Sequence, residues 1–439
     1  MSGETVLRSA RRRYVVVSGL FWLPIGLAMA PGVLLFTERG LSLTAVAACF
    51  AAHSLTAAAL ELPTGGLSDV LGRRPVLAAA GALNAVAFTL LGLGSTQASL
   101  ALGMGLMGAG RALSSGSAEA WYVDTVQAHA GPDADLRTGL ARGGTAMSAA
   151  LAVGTLGGGA IPWLLGLVPA LDERVRAATG HLVLPLSVPA LLAATVSIAF
   201  VLYVLSALRE PPRERATLRG VLRGVPSTIG GGLRLGAVDA TVRRVLLTAG
   251  AAGVAFAVIE LLSPGRTARL AGSPETGAVV FAALSCAGFA MSGLGSALAP
   301  LAARLARGGE RAVAAALGVS GGGLLLLAVT ATSSRPLPQV LAVSGFVLFY
   351  LGIGAVGPNE NDLLHRRVER GRRATALSVQ SLALQLTAAT GGLAISGLPT
   401  GPLPWLVGGT AVLAGALLWI RRPAARSAAA PHAASLTGG

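Results

Sequence analysis

Arg111 stands in Gly108-Ala-Gly-Arg-Ala-Leu-Ser-Ser-Gly116, inside an apolar run long enough to cross a bilayer. A guanidinium keeps its proton, and placing one at mid-bilayer costs about 2.5–3.5 kcal/mol on insertion scales. Such a residue is expected to face a cavity or an acid, where it can pair with a substrate or with a proton-carrying group. The acids within reach of apolar runs are Glu119, Glu260, Glu61, and Glu360 with Asp362. Glu119 is expected two turns further along the same helix face, about 12 Å from Arg111 by helical rise. Glu260 is expected near the outer end of its run, open to proton exchange, to pairing with Arg266 or to the headgroup zone. Glu61, Glu360 and Asp362 are expected at cytoplasmic helix ends, suited to a gate. Trp22, Gln380 and Gln385 join the cavity candidates because their polar groups need partners inside a span. His53, alone on an apolar run, is read as a packing residue.

No pattern of enzyme chemistry accompanies these residues. The five histidines make no metal-binding pair, and Cys49 and Cys286 lie far apart in apolar runs. All 34 basic residues are arginine, so no lysine is present for a phosphate-binding loop. Ser114-Ser115-Gly116-Ser117 has no neighbouring His or Lys to activate a nucleophile and is read as small-residue helix packing. The reading is of a chain without enzymatic activity, resident metal or cofactor.

The elements that must position these residues are membrane spans. Of 439 residues 53% are hydrophobic and 12% charged, half the charged share of about 25% found in soluble domains. Apolar runs of spanning length lie at about 14–36, 45–67, 75–95, 99–124, 140–168, 182–207, 243–263, 276–300, 312–331, 338–360, 373–397 and 402–420. The net charge of +15 is distributed by loop. Alternate loops hold 27 arginines on one face and 6 on the other, with Arg111 alone within a span. By the positive-inside rule this predicts twelve spans with both termini in the cytoplasm, and it argues against a nucleic-acid partner.

The predicted organisation is a six-helix bundle over 1–207, a cytoplasmic linker over 208–242 and a second six-helix bundle over 243–422. A disordered tail is expected at 423–439. Within the linker Leu218, Val221, Leu222 and Val225 fall on one helical face, suggesting a short interfacial helix or a solvated linker. The arginines before the first span, with no cleavage site after it, predict that this span stays as an anchor. Internal repetition supports two pseudo-symmetric halves. Arg12-Arg13 recurs as Arg243-Arg244, Pro31-Gly32 as Pro264-Gly265, Gly116-x-x-Glu119 as Gly357-x-x-Glu360, and Arg142-x-x-Thr-Ala-Met-Ser as Arg372-x-x-Thr-Ala-Leu-Ser.

Between the second and third runs, Gly65, Asp69, Gly72, Arg73 and Arg74 spell G-x-x-x-D-x-x-G-R-R. This resembles the signature loop of the major facilitator superfamily, and the segment around Arg111 resembles that family's fourth-helix motif with a buried arginine. The resemblance implies an all-α polytopic transporter of two six-helix bundles. It also implies a cytoplasmic gate cluster in which Asp69 and Arg73 work with an acid at the end of the fourth helix, here Asp124. Drug-exporting members carry a fifth-helix motif of which Gly154 and Pro162 are present and the Gly-Pro dipeptide is not. The expected function is proton-coupled export of an amphipathic small molecule by a monomer in the inner (cytoplasmic) membrane. Uptake of a polar nutrient, and a transport-inactive scaffold or sensor, are the alternatives.

Overall fold

In a computed structural model the described residues are almost all helical, with no strand among them. The structure describes residues 3–131, 133–210, 226, 229–231, 234–367 and 370–420; at 3–4, 62, 65, 66, 69, 171, 365–367 and 370–375 only the backbone is described. The expected linker helix at 218–225 and the tail at 423–439 lie outside the described residues.

The first half comprises α1 (Gly3–Met29), α2 (Gly32–Glu38), α3 (Leu43–Leu71), α4 (Arg73–Leu93), α5 (Gln97–Ser114), α6 (Ser117–Ala130), α7 (Arg137–Gly166), α8 (Pro169–Ala178), a short 3-10 turn at Pro185–Ser187 and α9 (Val188–Ala207). The second comprises α10 (Ala240–Ala271), α11 (Pro274–Leu305), α12 (Gly309–Val329), α13 (Pro336–Arg367), α14 (Arg370–Ser396) and α15 (Pro402–Ile420). Local chemistry sets several starts. The Ser42 hydroxyl accepts from the Ala45 amide, Thr96 and Ser99 form a capping box, and Asp239 accepts from the Thr241 and Val242 amides.

Among the described residues nine helices are long and apolar enough to cross a membrane, and the α1–α2 pair, bent by 41°, makes a tenth. The two remaining segments carry more polar residues: α5 with α6, which holds Arg111, and α14, which holds Gln380 and Gln385. With these two, the helices are consistent with the expected twelve crossings.

Two expectations change with the observed boundaries. Pro31 and Pro264 do not flank corresponding helices. The first sits at the break between α1 and α2, while α10 continues through Pro264-Gly265 to Ala271. The run 99–124 is not one helix. Gly116 adopts φ +69, a left-handed conformation that costs a residue with a Cβ more than it costs glycine, and the chain turns there from α5 into α6. Glu119 therefore does not continue the face of Arg111, and the 12 Å spacing by rise does not apply.

Within the first half α1 packs on α7 and α9, α4 on α5 and α9, and α3 on α5; within the second, α10 packs on α14, α11 on α13, and α12 on α13 and α15. Small residues permit the closest approaches. A Cβ on Gly154 would lie 2.5 Å from the Leu23 carbonyl, and one on Gly26 would lie 2.9 Å from the Thr155 amide, so α1 and α7 touch backbone to backbone. The halves meet along α3–α14 and α7–α11. Thr44 Oγ1 donates to the Ser396 carbonyl at 3.4 Å and Cys286 Sγ lies 3.4 Å from the Ala152 carbonyl, while a Cβ on Gly159 would stand 2.6 Å from that of Ala282. Cys49 is buried as the packing residue its apolar run suggested.

Both halves repeat two devices that the sequence repeats did not reveal. Arg39, after α2, donates to the carbonyls of Leu91 (2.8 Å), Gly92 and Gly94, where α4 ends. Arg266 on α10 donates to the carbonyls of Leu327 (3.2 Å) and Thr330 (2.8 Å), where α12 ends. Each satisfies carbonyls that a helix C-terminus leaves unpaired. Likewise Gly72 (φ +117) and Gly308 (φ +149) form the turns that start α4 and α12.

Candidate functional site

A cavity of about 410 Å³ opens in the first half, lined by the charged and polar residues Arg111, Ser114, Ser115, Glu119 and Glu61 of α3, α5 and α6 and by Tyr14, Phe21, Trp22, Leu140 and Met147 of α1 and α7. Three helices position the charged residues. α5 carries Arg111 fourteen residues from its start, about 21 Å by helical rise. The left-handed turn at Gly116 swings Glu119 back to the cavity rim, so the two residues share one space although no helix face joins them. α3 contributes Glu61, which is not at a helix end: α3 runs on to Leu71, about 15 Å further by rise.

The aromatic lining belongs to α1. Phe21 packs edge-on against Trp22 (centroids 5.9 Å) and Phe200 (5.5 Å), and Tyr14 stacks on Tyr122 at 4.9 Å. Gly143 lies directly under the Tyr14 ring, leaving no room for a side chain there.

Groups from the second half and from α3 address the same arginine. Glu260 and His53 each interact electrostatically with Arg111, and Tyr350 interacts with Glu260. Glu260 is thus not at the outer end of its helix. Because α10 reaches Ala271, Glu260 lies about 17 Å by rise from that end, a depth comparable with that of Arg111 measured from the start of α5. Arg266 is committed to the end of α12 and is not its partner. Tyr350 is ringed by Phe256, Phe289, Phe346 and Phe349 with centroids 5.0–6.3 Å away. Sequence reasoning missed Tyr350, and it did not place His53 near Arg111. A phenol is rare in this chain and sits here within an apolar run, which was the available signal.

Glu61 also bridges the halves: its Oε2 accepts from Ser381 Oγ on α14 at 2.8 Å. Glu360 is buried inside the second half rather than exposed at an end. It accepts from Thr248 Oγ1 and, at 3.4 Å, from Gln380 Nε2. Gln385 is buried with no hydrogen-bond partner for its Nε2, and Asp362 is exposed near the end of α13.

At the arginine-rich face, Gly72 turns the chain from α3 into α4 and Arg73 follows at once. Arg73 Nε lies 3.5 Å from Asp124 Oδ2, and Arg73 also donates to Ser68 Oγ. The Arg74 amide donates to Glu210 and its guanidinium to the Leu205 carbonyl, tying the turn to the end of α9. Trp121 Nε1 donates to the Arg209 carbonyl at 2.9 Å, fixing α6 to the same place. The structure therefore brings Gly72, Arg73, Arg74 and Asp124 together. The Asp69 side chain and Gly65, expected in this cluster, lie outside the residues whose surroundings are described. The second half has a counterpart: Arg244 reaches Glu310 at 3.5 Å and lies over the Trp419 ring at 5.7 Å. Among the described residues no group of three or more His, Cys, Asp or Glu is placed to hold a metal ion.

Comparison with known proteins follows the same lines. A family model described as Major Facilitator Superfamily matches residues 14–392. Among solved structures, that of the nucleoside transporter NupG is similar over 94% of this chain and 98% of its own, with a TM-score of 0.71 at 12% identity. That of a D-xylose-proton symporter is similar over 94% of this chain and 97% of its own, with a TM-score of 0.69 at 15% identity. Curated protein sequences gave no match.

Proposed function

This chain belongs to the Major Facilitator Superfamily, and we propose that within that family of transporters it is a proton-coupled exporter of a small amphipathic molecule. The observation that carries this reading is the mixed lining of the cavity, with Arg111, Glu61 and Glu119 beside Phe21, Trp22 and Met147. Such a lining suits a ligand with an apolar body and a polar or charged end. Arg111 and Glu260 belong to different halves, so protonation of Glu260 would weaken an attraction that holds those halves in one arrangement. In this reading Arg111 and Glu260 couple proton to substrate, His53 and Tyr350 tune them, and Trp22, Gln380 and Gln385 contribute polar contacts.

The arginine-rich face is the cytoplasmic one, both termini lie there, and the protein works as a monomer in the cytoplasmic membrane. The bundles on either side of 208–242 rock against each other about α3–α14 and α7–α11. Asp69, Arg73, Arg74, Gly65, Gly72 and Asp124 form the gate at that face, while Glu61, Glu360 and Asp362 adjust its closure.

Uptake of a polar solute by symport is the second reading. It is favoured by the polar groups of Gln380, Glu360 and Gln385 in the second half, and the solved relatives include a nucleoside transporter and a xylose-proton symporter. One experiment separates the two. Inside-out vesicles receive fluorescent amphipathic cations, neutral dyes, a labelled nucleoside or labelled xylose, with and without an imposed proton gradient. Dye accumulation that collapses with the gradient supports export. Movement of only the nucleoside or the sugar replaces it with uptake.

A further inference from the structure

The α1–α7 pair has a second face that the transport pathway does not use. Tyr14, Val17 and Ser18 of α1 and Gly143, Gly144 and Met147 of α7 line the central cavity. Around the other side of the same two helices, Arg8, Arg11, Arg12 and Val15 meet Arg142, Thr145, Ala146 and Ala149 about a groove of about 490 Å³. At 100° per residue, the groove residues of α7 point away from those that face the cavity and those of α1 are turned to its flank, so the groove opens on the outside of the bundle, towards lipid.

Its composition is ordered by depth. The guanidiniums come from the first turns of α1 and from the second turn of α7, at the arginine-rich face. Val15, Ala146 and Ala149 follow one or two turns further into the membrane. None of the eight lining residues is acidic. A topogenic charge needs only to lie in a loop, whereas these four arginines converge from segments more than a hundred residues apart on one concave surface with an apolar floor. Guanidinium is the side chain best matched to phosphate, binding it through paired N–H donors and holding its charge at every working pH.

We propose that this groove is a binding site for an anionic phospholipid. Arg8, Arg11, Arg12 and Arg142 hold the phosphate headgroup, and an acyl chain runs along Val15, Ala146 and Ala149. The site is separate from the transport cavity and does not depend on the substrate or on the direction of transport.

The test uses the full-length protein purified in mild detergent and read by native mass spectrometry against phosphatidylglycerol, cardiolipin, phosphatidylcholine and inorganic phosphate. The wild type is expected to retain anionic lipid about tenfold in preference to phosphatidylcholine, with inorganic phosphate failing to displace it. Arg12→Gln with Arg142→Gln is expected to abolish that preference, the paired Lys substitutions to keep part of it, and Arg304→Gln on the other half to leave it intact. Thermal unfolding in phosphatidylcholine nanodiscs shows whether the double variant folds; should it not, each single Gln variant is expected to weaken retention. The proposal is overturned by equal retention of zwitterionic lipid, or by a preference that survives the Gln substitutions. Displacement by inorganic phosphate would overturn it as well, marking a site for free anions.

Discussion

Arg111 of the first half, on α5, and Glu260 of the second, on α10, lie near enough for the guanidinium to act electrostatically on the carboxylate. A carboxylate at the depth of Glu260 is costly without an opposite charge nearby, and Arg111 supplies one. Glu260→Gln is expected to abolish gradient-driven accumulation while leaving substrate exchange down its own gradient. Loss of both modes would assign Glu260 to substrate binding instead. Vesicle accumulation and counterflow assays on the same preparation distinguish these outcomes.

Removing both partners is expected to harm the protein less than removing one. Glu260→Gln removes a carboxylate that acts on Arg111, whereas Arg111→Gln with Glu260→Gln leaves two neutral amides and no charge seeking a partner. Folded yield and thermal midpoint should be lower for either single variant than for the double variant. Equal losses adding across the pair would show that the two residues do not interact.

The arginines at the opposite face are expected to act on stability. Arg266 is buried and ties α10 to the end of α12, so Arg266→Gln should cost about 1–3 kcal/mol, the range for leaving buried hydrogen-bonding groups unsatisfied. Arg39→Gln should lower the thermal midpoint less, because that site is partly open to water. Lysine at either place should rescue in part, since a point charge cannot spread over several carbonyls as the planar guanidinium does.

Close approach of α1 and α7 sets a strict limit on residue size. Gly154→Val places a side chain against the Leu23 carbonyl and is expected to cost about 1–3 kcal/mol by overpacking. Gly144→Ala, with no atom within 4 Å of the new Cβ, should be neutral. Fluorescence-detected size-exclusion midpoints of the two variants give the comparison.

Arg73 and Asp124 form a pair at 3.5 Å with Asp124 40% exposed, so its worth in stability is expected to stay within about 0–1 kcal/mol. An effect on transport much larger than its effect on unfolding would mark the pair as part of a conformational balance. Asp124→Asn is the informative change, measured by transport rate beside thermal midpoint.

The helical class, the two-half plan and a span number consistent with the structure were legible in the sequence, because bilayer thickness acts on runs of consecutive residues and the charge rule acts on loops. The motif Gly72-Arg73-Arg74 was legible for the same reason: a turn at a membrane face is a local event. Arg111 announced itself by cost. What the sequence could not determine was depth and facing. Glu260 moved from a helix end to the helix interior because α10 passes through Pro264 and runs on to Ala271. Glu119 joined Arg111 only through the left-handed turn at Gly116, one glycine among 60 whose conformation is decided by packing. When every face of a helix is apolar, periodicity cannot say which side meets lipid and which meets a cavity. That choice belongs to the tertiary contacts, which here brought His53 and Glu260 near one arginine and Tyr350 near Glu260.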